Sequence, residues 1–253
     1  MTRLRVATFN IRNGMGRDGW NVWPLRRATT ARTIVALAAD IVGLQEVYAF
    51  QQRYLERQLS GHRFVAAGRT DGVRGERCPV LVRSEVGRVV SHRTIWFGAT
   101  PDVPGSTLAG ASFPRIATTV RIELEDDAGC VDVTSTHLDE ASAERRRQSA
   151  VQLSSSLDAD VPQIVLGDLN ADPDSVVVDE LCRAGLEPVS PIGSVGTEHR
   201  FTGRTDGRRI DHILVSRHLR VVHAEVRTTR LGRALPSDHW PVVAILELAP
   251  PAR

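Results

Sequence analysis

The stretch Val161-Pro162-Gln163-Ile164-Val165-Leu166-Gly167-Asp168-Leu169-Asn170-Ala171-Asp172-Pro173 constrains this chain more than any other. Its first half is a short apolar run rich in β-branched residues, the pattern of a fully buried strand. Gly167 lets the backbone turn, and Asp168 and Asn170 follow at the strand's end. Side chains two apart on an extended segment point the same way, so a carboxylate and a carboxamide share one mouth. In α/β proteins ligands sit at the carboxyl ends of strands. An ordinary Asp/Asn/Pro turn uses the same residues, so the rest of the chain has to decide.

A chain of 253 residues is long enough for one large domain with a substantial core. Hydrophobic content of 42% and charged content of 25% are those of an ordinary soluble globular protein. Lysine is absent, so all 32 basic residues are arginines, each a forked and permanently charged donor suited to phosphate. The net charge of +2 demands no polyanionic partner. Cys78, Cys130 and Cys182 are widely spaced and form no CxxC, which argues against a disulfide framework or structural zinc and for a reducing compartment. The N-terminus shows no signal peptide pattern. The longest apolar stretch, Ile34 to Leu44, is broken by Asp40 and too short to span a membrane. The expectation is a cytoplasmic protein without a membrane span, and a monomer.

In chain order, a first strand ends at Phe9-Asn10, and a Gly-rich loop follows. Pro24 sits where a helix starts, and Ala28, Ala31, Val35 and Ala38 give an approximate helical stripe. Residues 40–44 read as a short buried strand ending at Gln45-Glu46, and 49–59 as a helix closed by Ser60-Gly61. Strand-like runs then follow one another at 62–67, 79–83, 88–97, 116–124 and 131–137. The segment 98–113, with its prolines and glycines, reads as a long surface loop. A helix over 141–157 precedes the central strand, and another over 175–184 stops at Gly185. Residues 210–215, 221–227 and 242–248 are closing strands. Helix–strand alternation mixed with runs of strands predicts an α/β sandwich of two mixed β-sheets covered by helices. No linker divides the chain, so 1–253 is expected to be a single domain with its core over about 4–248.

Five strand ends carry the same kind of side chain: Asn10, Glu46, His137, Asp168 with Asn170, and Asp211. Ser237-Asp238-His239-Trp240-Pro241 adds an adjacent carboxylate and imidazole. Each has an ordinary explanation. Asn10 and Asp238 suit turns, Glu46 could cap the following helix, His137 could be a satisfied strand histidine, and Asp211 could pair with Arg208 or Arg209. Together they read differently. Carboxylates and carboxamides suit a hard cation such as Mg²⁺ or Mn²⁺. A hard cation beside two histidines and many arginines is equipment for phosphoryl chemistry.

Thr8-Phe9-Asn10-Ile11-Arg12, Leu44-Gln45-Glu46-Val47, Ser135-Thr136-His137-Leu138, Gly167-Asp168-Leu169-Asn170, Arg209-Ile210-Asp211-His212 and Ser237-Asp238-His239-Trp240-Pro241 resemble, in order, the motifs of the endonuclease/exonuclease/phosphatase superfamily, the deoxyribonuclease-I-like fold. Residues 18–23, 75–80 and 100–106 resemble one bacterial branch of it. The resemblance implies a four-layered α/β sandwich, two mixed sheets packed face to face and flanked by helices, and metal-dependent hydrolysis of phosphate esters by direct water attack. It makes Glu46 the principal metal ligand, helped by Asn10 and Asp238. Asp168 orients or deprotonates the attacking water, and Asn170 holds the scissile phosphate. His239, oriented by Asp211, acts as general base or phosphate-binding imidazolium. His137 donates to a non-bridging oxygen or the leaving group, with Glu76 behind it to set the tautomer. A histidine at 137 points away from abasic-site repair.

The expected activity is Mg²⁺- or Mn²⁺-dependent phosphoester hydrolysis on a diester or monoester, either nuclease-like or on a small phospho-substrate. The alternatives are a lipid or inositol-phosphate phosphatase, a sphingomyelinase-like phosphodiesterase, and a non-catalytic nucleic-acid-binding module. A decayed enzyme loses some of Glu46, Asp168, Asn170, Asp211 and His239, and all are present. Arg12, Arg17, Arg69, Arg74, Arg77, Arg115, Arg204, Arg208, Arg230 and Arg233 lie in or beside the motif loops. Of these, Arg115 and Arg77, together with Asn170, are expected to bind substrate. Such a rim fits a nucleic-acid backbone or one phosphorylated head group. An aromatic content of 5% argues against tracking of single strands, which needs stacking platforms. Trp96-Phe97 is the one hint of an exposed apolar hairpin of the lipid-directed kind.

Overall fold

The computed structural model describes residues 2–125 and 128–248, so both ends of the expected domain lie outside the described residues. In chain order the elements are β1 (Arg3–Asn10), α1 (Trp23–Leu37), β2 (Ile41–Gln45), α2 (Ala49–Gln58), β3 (His62–Val65), β4 (Val80–Arg83), β5 (Gly87–Trp96), β6 (Ile116–Leu124) and β7 (Cys130–His137). They continue with α3 (Ala143–Ser156), β8 (Gln163–Asp168), α4 (Val176–Arg183), β9 (Leu186–Pro188), β10 (Asp211–Ser216), β11 (Leu219–Val226) and β12 (Val242–Leu248). One sheet runs β11-β12-β1-β2-β4-β3 and the other β5-β6-β7-β8-β10-β9. Each holds one parallel pair near its middle, β1 with β2 and β7 with β8.

Alternation along the strands builds the layers. On β1, Leu4 and Val6 enter the core between the sheets, while Ala7 and Phe9 face α1 and α2. On β8, Ile164 and Leu166 face inward to the same central core, and Val165 faces α3 and α4. The result is helices, sheet, sheet and helices, the four-layered sandwich expected. Helix starts follow local chemistry. Ser142 Oγ accepts the Arg145 amide at 3.2 Å to open α3, and Ser175 Oγ accepts the Val178 amide at 3.4 Å to open α4. None of the described helices is long and apolar enough to cross a membrane.

Three details depart from the sequence reading. The inward face of α1 is Trp23, Arg26, Thr30, Ile34 and Leu37, whereas Ala28 and Val35 are exposed. Arg26 and Thr30 take the buried face because backbone carbonyls there accept their N–H and O–H groups. Trp96 and Phe97 are buried, at 5% and 1% exposure, so they form no apolar hairpin at the surface. Leu186–Pro188 adds an edge strand beside β10 that is too short to announce itself.

At Gly43 the two sheets approach closely. A Cβ there would meet Leu166 Cβ at 2.7 Å and Ser135 Oγ at 3.1 Å. Gly43→Ala should therefore overpack the central core and cost about 1–3 kcal/mol, lowering the melting temperature by a few degrees. An unchanged melting curve followed by circular dichroism would show that the sheets separate freely at this point.

Candidate active site

The site lies where the inter-sheet stripes stop being apolar. Leu4 and Val6 on β1 give way to Thr8 and Asn10, and Ile41 on β2 to Gly43 and Gln45. Val131 and Val133 on β7 give way to Ser135 and His137, Ile164 and Leu166 on β8 to Asp168, and Val215 and Ile213 on β10 to Asp211. Period-2 alternation thus aims all of these polar ends into the one gap between the sheets. A polar band separates core from site. Gln45 Nε2 donates to Ser135 Oγ at 3.3 Å, and Thr8 Oγ1 donates to Gln45 Oε1 at 3.3 Å.

Asp168 is at the centre. In strand register it stands beside His137 on β7 and directly opposite Asp211 on β10. Its Oδ2 accepts Asn10 Nδ2 at 2.9 Å from the other sheet, and its Oδ1 accepts the Asn170 amide at 2.9 Å. His239 Nδ1 donates to Asp211 Oδ2 at 2.7 Å and lies 4.0 Å from Asp168 Oδ2. Asp211 therefore pairs with His239, while Arg208 pairs with Asp172. Asp211 Oδ1 is buried and has no hydrogen-bond partner.

Glu46 directly follows β2 in a left-handed conformation, φ 60°, and Tyr48 rather than Glu46 is the N-cap of α2. Its Oε1 accepts Asn10 Nδ2 at 3.0 Å, and its Oε2 accepts the backbone and side-chain N–H groups of Asn13 at 2.8 and 3.0 Å. Asn10 thereby bridges Glu46 and Asp168, while its side-chain Oδ1 accepts the Arg12 amide at 2.9 Å. Arg12, held by Asp18 at 3.0 Å, stands 3.9 Å from Glu46 and 3.7 Å from Asp238. Arg12 and Asn170 are also left-handed, at φ 57° and 50°. Backbone strain of this kind collects where side chains must be aimed.

Burial and neighbours set the ionisation. Burial, reinforced by the charge of Asp211, pushes Asp168 up to about 7, and burial also raises Asp238. Burial opposes ionisation of Glu46 as well, yet His137, the donors on Asn10 and Asn13, and Arg12 bring it down to about 2. Burial disfavours a charged His239, but Asp211, Asp168 and Asp238 together hold it well above the usual imidazole range. His137 goes the other way. Burial and the charge of Arg115 hold it well below that range. Its Nε2 lies 3.1 Å from Asn170 Nδ2, an amide donor, so the neutral ring accepts there.

Beside this cluster a cleft of about 250 Å³ is lined by Arg12, Glu46, Tyr48, Arg69, Phe113 and Arg115, among others. Two expectations change here. Glu76 does not stand behind His137; its Oε2 accepts Arg69 Nη1 at 2.7 Å, the stronger partner for a buried carboxylate. Arg77 donates to Gln52 Oε1 at 2.7 Å and the Val73 carbonyl at 2.9 Å, so its guanidinium is committed to the scaffold. Arg115 is different. It is 8% exposed, its Nε has no partner, and its ion pair with exposed Glu140 spans 3.7 Å, while Glu46 and Glu76 line the same cleft. Of the long loop 98–113, Phe113 reaches the cleft and stacks over Arg69 at 4.7 Å. Asn13, Tyr48 and Arg26 were not singled out by the sequence. Only Arg26, a charge on the helix's buried face, leaves a trace in the pattern.

The donor set fits a hard divalent cation. Ligand atoms of Asp168, Asp211 and His239 come within 4.8 Å of one another, Asn10 joins Asp168 to Glu46, and Arg12 stands between Glu46 and Asp238. The orphaned Asp211 oxygen and the raised Asp168 and Asp238 mark an excess of negative charge that a cation would relieve.

A model of the Endonuclease/Exonuclease/phosphatase family matches residues 7–239. Solved structures agree in fold. A family protein from Bacteroides vulgatus is 30% identical with a TM-score of 0.90, covering 98% of this chain and 100% of its own. One from Bacteroides thetaiotaomicron is 29% identical with a TM-score of 0.90, covering 97% of each chain. A mannosyl-6-phosphatase from Bacteroides thetaiotaomicron is 28% identical with a TM-score of 0.89, covering 97% of this chain and 100% of its own. No protein of curated description matches the sequence.

The His239–Asp211 pair makes a sign-definite prediction. A raised imidazole contributes stability that is full below its unfolded value of about 6.5 and lost as pH rises through the folded value. Asp211→Asn should lower the His239 titration midpoint measured by NMR, and the stability gap to the parent should narrow at alkaline pH. A midpoint that does not move would show that Asp211 does not hold this proton.

Proposed function

This chain belongs to the endonuclease/exonuclease/phosphatase family, whose members are hydrolases of phosphoester bonds, and from that premise we propose that it is a divalent-metal-dependent phosphomonoesterase acting on a small phosphorylated substrate of sugar-phosphate size. The observation that carries this reading is the short cleft in which Arg115, its Nε unbonded and its ion pair to exposed Glu140 stretched to 3.7 Å, lies beside Glu46 and His137. A buried guanidinium whose only ion pair is a long one to an exposed carboxylate keeps capacity for an anion. Arg69 with Glu76 offers donors and an acceptor to hydroxyl groups, and Tyr48 and Phe113 offer apolar faces. Several other arginines named from the sequence are already neutralised, Arg74 by Asp71, Arg204 by Asp206 and Arg208 by Asp172, which argues against a track for a polyanion. The mannosyl-6-phosphatase among the structural relatives, 28% identical, points the same way.

In this reading Glu46 and Asp238 hold the ion, Mg²⁺ or Mn²⁺, with Asn10 orienting Glu46 and Asp168. The ion supplies positive charge to the phosphoryl oxygens. Asp168, raised to about 7, takes the proton of the attacking water. His239, kept protonated by Asp211, stabilises charge on a non-bridging oxygen. Asn170 and Arg115 hold the phosphate. The negative charge of bound phosphate raises His137, offsetting Arg115, so that it can protonate the leaving oxygen.

Phosphate release from hexose phosphates, set beside cleavage of DNA, RNA and bis-p-nitrophenyl phosphate with Mg²⁺ or Mn²⁺, tests this. The hexose monoesters should be the best substrates by kcat/KM, and Glu46→Gln should cost on the order of 10²–10⁴ in rate. Faster cleavage of nucleic acid, or a Glu46→Gln enzyme at the parent rate, would overturn the proposal.

A further inference from the structure

Arg26 sits in the first turn of α1 with no exposed surface. All five of its N–H groups are used, and every acceptor is a backbone carbonyl. Nε donates to Asn21 at 2.8 Å, Nη1 to Ile11 at 2.6 Å and Pro236 at 3.1 Å, and Nη2 to Arg12 at 2.7 Å and Asn13 at 3.4 Å. The guanidinium lies 5.2 Å from the Trp23 ring centre and 5.8 Å from that of Phe201. Among the described residues no carboxylate forms an ion pair with it. Such a charge is costly to bury, so its position needs a reason beyond packing.

Apart from that of Asn21, the carbonyls it gathers come from two segments that flank the site. Ile11, Arg12 and Asn13 follow β1, and Asn13 delivers two N–H groups to Glu46. Pro236 precedes Ser237-Asp238-His239, and Ser237 Oγ in turn donates to the Asn10 carbonyl at 2.7 Å. Thr30, one helical turn on, adds a hydroxyl to the same Pro236 carbonyl at 2.6 Å. The planar fork therefore sets the distance between the segment that aims Glu46 and the segment that carries Asp238.

We infer that Arg26 is a positioning residue for the divalent-cation site, a rigid clamp that fixes the spacing of Glu46 and Asp238. The inference rests on the proposed metal-dependent reading. Lysine cannot replace it, because an ammonium offers three donors from one point where the clamp needs five in a plane.

Calorimetric titration of the protein with Mn²⁺ alone, in the absence of substrate, tests this beside a melting curve. Arg26→Lys should weaken Mn²⁺ binding by about 10- to 100-fold, the usual effect of losing a group that orients metal ligands. Excess Mn²⁺ should restore most of kcat, a split that simple loss of folded protein does not produce. Thr30→Val, which removes one clamp bond and keeps the side chain's shape, should weaken Mn²⁺ in the same direction by a smaller factor, and it decides the matter if Arg26→Lys does not fold. Mn²⁺ affinity equal to the parent's in a folded Arg26→Lys, or in Thr30→Val where that variant must decide, overturns the inference and leaves the metal reading standing. A parent protein that binds no Mn²⁺ overturns the metal reading and the inference together.

Discussion

Two buried carboxylates stand directly opposite each other on antiparallel strands, and the rest of the site is arranged around that conflict. Asp168 and Asp211 are register partners on β8 and β10, and like charges so placed destabilise a sheet pair. His239 answers one side of the problem by donating a hydrogen bond from its Nδ1–H to Asp211. Asn10, reaching across from the other sheet, answers part of the other. What is left over is the unpartnered Asp211 oxygen and an Asp168 pushed up to about 7. The fold tolerates this arrangement because the central core beneath it is wholly apolar and close-packed around Gly43 and Leu166.

The second feature is that the site's aim comes from loops held in unfavourable backbone conformations. Arg12, Glu46 and Asn170 are all left-handed without being glycine, which costs of order 1–3 kcal/mol each. Arg26 and Gln51 hold the first of these by bonding to the Arg12 carbonyl, and Asn13 holds the second through Glu46. The Asn170 side chain is tied to the Leu138 carbonyl and to His137. Strain is thus balanced by hydrogen bonds that a different side-chain set could not make.

The strand ends were legible in the sequence because period-2 alternation is a local property. Asn10, His137, Asp168 and Asp211 each continue an apolar stripe, and Glu46 directly follows Gln45, the last residue of another, so their common destination could be read before any contact was seen. The helices and most strands fell within a few residues of their expected bounds for the same reason. Choices between neighbours in space were not legible. Glu76 was expected behind His137, but Arg69 reaches it first, and nothing local to either segment says so. The inward face of α1 was misread because Arg26 and Thr30 count as polar in any stripe, although both are fully buried once their carbonyl partners are present.

The account's central claim is that the buried carboxylates around Asp168 carry an excess of negative charge that a divalent cation held by Glu46 and Asp238 would relieve. Mn²⁺ titration near pH 7 in buffers of different ionisation enthalpy measures the protons released on binding. A cation entering the cluster lowers the raised Asp168, so the account predicts release of a substantial fraction of a proton per site, lost in Asp168→Asn. Binding with no proton release in the parent protein, or release undiminished in Asp168→Asn, would contradict it.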